Sequence, residues 1–98
     1  MALYHVDVVA DKSIADAALG WFQENSKDIS GAPGFKTLNV YTDVKSEGDT
    51  QRFFILASAE TVQDVENFTA VSAPKLREEL GQFGDKLKVT RTITKQVL

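Results

Sequence analysis

The hydrophobic period changes along this chain in the order strand, helix, strand, strand, helix, strand, and that order constrains the fold more than any other feature. From Leu3 to Val9 the side chains alternate, with Tyr4, Val6 and Val8 on one side and Leu3, His5 and Asp7 on the other. Asp11 and Lys12 end the run. Ser13-Ile14-Ala15-Asp16 reads as a helix start, a hydroxyl cap with a carboxylate three residues on. The helix then carries Ile14, Ala18, Trp21 or Phe22, Asn25 and Ile29 along one stripe until Gly31-Ala32-Pro33-Gly34 stops it.

Alternation resumes from Phe35 to Val44, with Leu38, Val40 and Val44 facing one way and Phe35, Thr37, Asn39 and Tyr41 the other. Lys45 to Thr50 is a polar, glycine-bearing hairpin connection. Arg52 to Ser58 is apolar on nearly both sides, which predicts a central strand. Thr61-Val62-Gln63-Asp64 opens a second helix with the stripe Val62, Val65 and Phe68 or Thr69. Pro74 interrupts it, and a restart near Ser72 brings Leu76, Leu80 and Phe83 inward before Gly81 and Gly84. The last strand, Lys86 to about Lys95, sets Leu87, Val89, Arg91 and Ile93 against Lys88, Thr90, Thr92 and Thr94.

This β-α-β-β-α-β order predicts one α+β domain over residues 1–98, a ferredoxin-like split βαβ with a four-stranded antiparallel sheet and two helices on one face. The aliphatic face, with Val6, Val8, Leu38, Val40, Ile55, Val89 and Ile93, belongs beneath the helices. The other face mixes Leu3, Phe35, Phe54 and Leu56 with His5, Asn39 and Arg52, too apolar for open water and too polar for a dry core. A second copy of the chain covering it would give a homodimeric α+β barrel that encloses the polar groups.

Composition removes several classes of function. With no cysteine there is no thiol chemistry, thiolate metal site or disulfide scaffold, and a reducing, cytoplasmic setting is expected. No apolar run reaches the roughly 18 residues of a membrane span, so no membrane partner is expected. Eleven basic against fourteen acidic side chains give a net charge of −3, which disfavours a nucleic-acid partner. Gly-rich phosphate loops, His-Glu-x-x-His, Gly-x-Ser-x-Gly and calcium-loop motifs are all absent, and no metal site is expected.

Gly31-Ala32-Pro33-Gly34-Phe35, and Arg52-Phe53-Phe54-Ile55-Leu56-Ala57-Ser58 running into the helix near Thr61, resemble the antibiotic-biosynthesis monooxygenase-like members of the dimeric α+β barrel superfamily. The resemblance implies a homodimer, a small aromatic substrate held between sheet and helices or within the barrel, and an oxygenase needing no metal, flavin or other cofactor. Ala59 and Phe68 stand near positions where many members carry a tryptophan and a histidine, so haem ligation is not implied. A fainter similarity, carried by His5 alone, is to stress-responsive α+β barrels that include a plant polyketide cyclase.

His5, the sole imidazole, is the candidate catalytic base for a phenolic or α-carbon proton, a role typically worth ~10² to 10⁴ in rate. Asn39 and Tyr41 are candidate donors to a substrate oxygen, Phe54 and Leu56 candidate apolar walls, and Arg52 a candidate carboxylate clamp. Plainer roles stand beside each: an interface histidine, cross-strand polar pairs, and an Arg52 ion pair with Glu47 or Asp49. The expected function is a cofactor-independent monooxygenase of a small phenolic, quinol or polyketide-like compound. The alternatives are a cyclase or isomerase using His5 as base, and a non-catalytic ligand-binding or dimerisation domain.

Overall fold

The computed structural model describes residues 1–98 and realises the predicted order. Strand β1 runs Ala2–Asp11, helix α1 Ala15–Ser30, β2 Phe35–Thr42, β3 Thr50–Ala59, α2 Val62–Val71, α3 Ala73–Leu80 and β4 Leu87–Lys95, with a short 3₁₀ turn at Gly81–Lys86. The strands form one antiparallel sheet in the order β2-β3-β1-β4, so the doubly apolar β3 is central as its composition requires. No helix is long and apolar enough to cross a membrane.

All three helices lie on one side of the sheet. Ala2, Tyr4, Val6, Val8 and Ala10 of β1 and Phe53, Ile55, Ala57 and Ala59 of β3 face them and are buried. α1 supplies Ala18, Phe22 and Ile29, α2 Val65 and Phe68, and α3 Ala73, Leu76 and Leu80. Edge-on aromatic contacts join the layers: Phe22 to Phe53 at 5.5 Å and Tyr4 to Phe68 at 5.9 Å between ring centroids.

The start of α2 follows its sequence closely. Asp64 N–H donates to Thr61 Oγ1 (3.1 Å) while Thr61 N–H donates to Asp64 Oδ2 (3.2 Å), a complete capping box. Pro74 sits in the first turn of α3, where its missing N–H costs nothing, and Ser72 closes one helix and opens the next.

Four sequence expectations are corrected. The hydroxyl of Ser13 does not cap α1. It donates to Asp11 Oδ1 (2.7 Å), as does its backbone N–H (2.9 Å), and this Asx-type turn leaves Ile14 at the N-cap without a side-chain bond. Phe35 does not share a face with Asn39 and Tyr41. A bulge between Phe35 and Thr37 reverses its parity, and Phe35, 9 % exposed, packs against Phe68 with the rings tilted and their centroids 5.4 Å apart. Val44 lies beyond the end of β2 and is 89 % exposed, because the strand stops at Thr42 where the hairpin turn begins. Ile93 points to the helix side but is 37 % exposed, since it lies on an edge strand.

Candidate functional site

The open face of the sheet gathers the residues singled out by sequence. The register sets Asn39 beside Leu56, Leu56 beside His5 and His5 beside Thr92, in one row across all four strands. The adjacent row runs Tyr41, Phe54, Asp7 and Thr90. His5 Nε2 is 3.0 Å from Thr94 Oγ1, which fixes the ring toward the β4 edge. Arg52 makes none of the ion pairs expected with Glu47 or Asp49. Its guanidinium lies over the Phe54 ring, 5.2 Å from the centroid, and the one ion pair in the molecule is Lys36 with Glu60 at 2.9 Å. His5, Phe54 and Leu56 are half-buried, while Asn39, Tyr41 and Arg52 are exposed. None of these six lines a principal concavity of the single chain.

The opposite face holds a mainly apolar cleft between the sheet and helices α1, α2 and α3. It measures about 390 Å³ including its open mouth. Tyr4 and Val6 form its floor, Trp21, Phe22, Asn25 and Ile29 come from α1, and Phe68, Leu76 and Leu80 close the helical side. Arg91 of β4 completes the rim. The i, i+1, i+4 and i+8 spacing of Trp21, Phe22, Asn25 and Ile29 turns one helical face toward Tyr4 and Val6. Asn25 Nδ2 donates to the Trp21 carbonyl (2.8 Å), leaving Oδ1 and the second N–H for other partners.

Burial raises the pKa of the Tyr4 hydroxyl, and the positive charges of Arg91 and, more weakly, Arg77 offset this only in part. Tyr4 is therefore a neutral donor at physiological pH, beside a guanidinium, in a mainly apolar cleft. No Asp, Glu or His lines it. The sequence pattern puts Tyr4 on the covered face, Asn25 on the α1 stripe and Arg91 in the apolar row of the last strand, but assigns none of them to a site. The signal was available in the alternation Leu87, Val89, Arg91, Ile93, where one cation interrupts an apolar row.

No group of three or more His, Cys, Asp and Glu side chains is placed to hold a metal ion. The family model described as a domain of unknown function, DUF4286, matches residues 1–97. No curated protein sequence matches the chain. Solved structures of similar fold include a candidate antibiotic biosynthesis monooxygenase from Deinococcus radiodurans, at TM-score 0.81 and 12% identity over 100% of this chain and 94% of that one. A dimeric ferredoxin-like protein from an uncultured marine organism gives TM-score 0.74 and 12% identity over 100% and 96%. The heme-degrader MhuD from Mycobacterium tuberculosis, with two hemes in its active site, gives 0.66 and 14% over 98% and 96%. The resemblance read from the sequence thus holds at the level of fold. The lining of this cleft offers no His, Cys or carboxylate to ligate haem iron.

Proposed function

For a chain that belongs to the DUF4286 family of domains of unknown function, we propose a homodimeric, cofactor-independent monooxygenase whose small phenolic or quinol-type substrate binds in the helix-side cleft. The observation that carries the reading is the set of cleft donors: the Tyr4 hydroxyl and the Asn25 amide beside Trp21 and Phe22. Aromatic walls suit a flat ring, and donors fixed before reaction favour an oxyanion. In the net reaction a phenol and O2 give a quinone and water. The phenol gives its proton to solvent water at the open mouth, and the phenolate carbon passes electrons to O2. The peroxide takes a proton back from solvent, after which the hydroperoxide loses the ring C–H proton and expels water as the second carbonyl forms. Both oxygens are thereby accounted for, and the substrate supplies all four electrons.

The open face is the proposed dimer surface. Leu3, Val9, Phe54 and Leu56 stand half-buried there in a single chain, and a second sheet would remove them from water. Light scattering over a dilution series tests this, and a mass of one chain throughout overturns it.

A second placement puts the substrate inside that barrel, with His5 as base, Asn39 and Tyr41 holding its oxygens, Arg52 at its edge, and Phe54 and Leu56 as walls. The row Asn39–Leu56–His5 supports it. Oxygen uptake with a panel of electron-rich phenols separates the two. If the cleft is the site, Tyr4→Phe lowers turnover about a hundredfold and His5→Ala leaves it within about twofold of wild type. The reverse pattern moves the site to the open face. Binding without uptake leaves a ligand-binding domain.

A further inference from the structure

We infer that the helix-side cleft takes its ligand as an anion, an aromatic monoanion whose charged oxygen is held at the rim by Arg91 with the Tyr4 hydroxyl as second donor. The inference rests on the cleft being the ligand site and names the class of ligand that enters it.

Three observations converge. The first is register. On β4 the helix-facing positions are Leu87, Val89, Arg91 and Ile93, and Arg91 stands opposite Val6 of the cleft floor. The Arg91 side chain is exposed and hydrated, and it lies close enough to the Tyr4 hydroxyl to act on its ionisation, so one cation and one neutral donor meet at the rim.

The second is that Arg91 has no counter-ion within the protein. No carboxylate lies within ion-pair distance of Arg91, although the chain carries fourteen acidic side chains and a net charge of −3. Asp28 of α1 lines a neighbouring concavity with Lys75, not this cleft. The cation nearest in effect is Arg77 of α3, whose charge is felt at the Tyr4 oxygen together with that of Arg91. A cleft with one cation on its rim, a second near enough to act on the Tyr4 oxygen, and no anion in its lining attracts and orients an anionic ligand.

The third is the absence of a base. None of the eleven lining residues accepts a proton near neutral pH. With no proton acceptor in the lining, the negative charge that meets Arg91 has to be carried in by the ligand, which suits a compound already ionised at about pH 7, such as an aromatic carboxylate. Trp21, the sole tryptophan, lies in the wall and reports occupancy directly.

The test is a titration of the full chain at about pH 7 with 4-hydroxybenzoate and with its neutral isostere 4-hydroxybenzamide, read by Trp21 fluorescence and by calorimetry. The anion should bind at least about tenfold more tightly, as expected of a charge-assisted hydrogen bond. That preference should fall to within about twofold in Arg91→Gln and return in part in Arg91→Lys, with a smaller loss in Arg77→Gln. Arg91 is exposed on an edge strand, so these variants keep the fold. Equal affinity for acid and amide overturns the anion inference and leaves the cleft reading standing. A preference that survives Arg91→Gln also overturns it, and its loss in Arg52→Gln would then place the charge recognition on the open face. No response to either compound overturns both the inference and the cleft reading.

Discussion

Phe53 and Phe54 are neighbours on β3, yet they live in different physical settings. Phe53 is 1 % exposed, faces the helices and meets Phe22 edge-on at 5.5 Å. Phe54 is half-buried on the open face with only the Arg52 guanidinium above its ring. The helix side of the sheet therefore carries the packing that folds a single chain, while the open side keeps apolar surface available for a second one. Truncation measures the division. Phe53→Ala should cost about 3–5 kcal/mol in chemical denaturation. Phe54→Ala should cost about 1 kcal/mol or less in a dilute single chain and should instead weaken dimerisation by light scattering. Equal losses of chain stability would erase the distinction between the faces.

The helix layer also depends on one backbone position outside it. Gly34 adopts φ +85°, and a Cβ there would overlap the Asp64 carboxyl that completes the α2 capping box. Its carbonyl accepts the Glu60 N–H at 2.9 Å, tying the α1–β2 turn to the entry of α2. Gly48, at φ +74° in the hairpin, has open space where a Cβ would go. Gly48→Ala should cost about 1–2 kcal/mol for the left-handed backbone alone, and Gly34→Ala about 1 kcal/mol more because the cap is also displaced. Matching losses in thermal or chemical unfolding would remove Asp64 from the account.

Much of this architecture is legible in the sequence because period and cap signals are local. The alternation in β1 and β3, the Thr61–Asp64 box and the Pro74 restart all work within a few residues, and all stand in the structure. Phe35 went astray because a bulge changes parity without changing composition. Ser13 went astray because Asp11, two residues earlier, competes for the same hydroxyl. The candidate site was less legible. His5, Asn39, Tyr41, Arg52, Phe54 and Leu56 were correctly placed on one face, since parity alone decides that. The cleft needs five elements brought together, and Tyr4 and Arg91 are separated by most of the chain. Only tertiary packing shows that they share a wall.

The smallest effect sharpens the comparison at the level of one proton. Tyr4 on the helix side is held by burial above the ordinary tyrosine pKa, with Arg91 and Arg77 opposing the shift. The unfolded chain releases that proton near pH 10, before the folded one does. The Tyr4 contribution to stability is therefore intact below about pH 10 and is lost as pH rises through the higher folded value. In Tyr4→Phe that part of the alkaline decline should disappear, while stability at about pH 7 should change by no more than about 1 kcal/mol. Arg91→Gln should act in the opposite sense, raising the Tyr4 pKa further and steepening the decline. His5→Ala, on the other face, should leave the alkaline limb where it was. Denaturation midpoints across the alkaline range check all three, and a limb identical in wild type and Tyr4→Phe would mean that the cleft floor is wetter than its apolar lining implies.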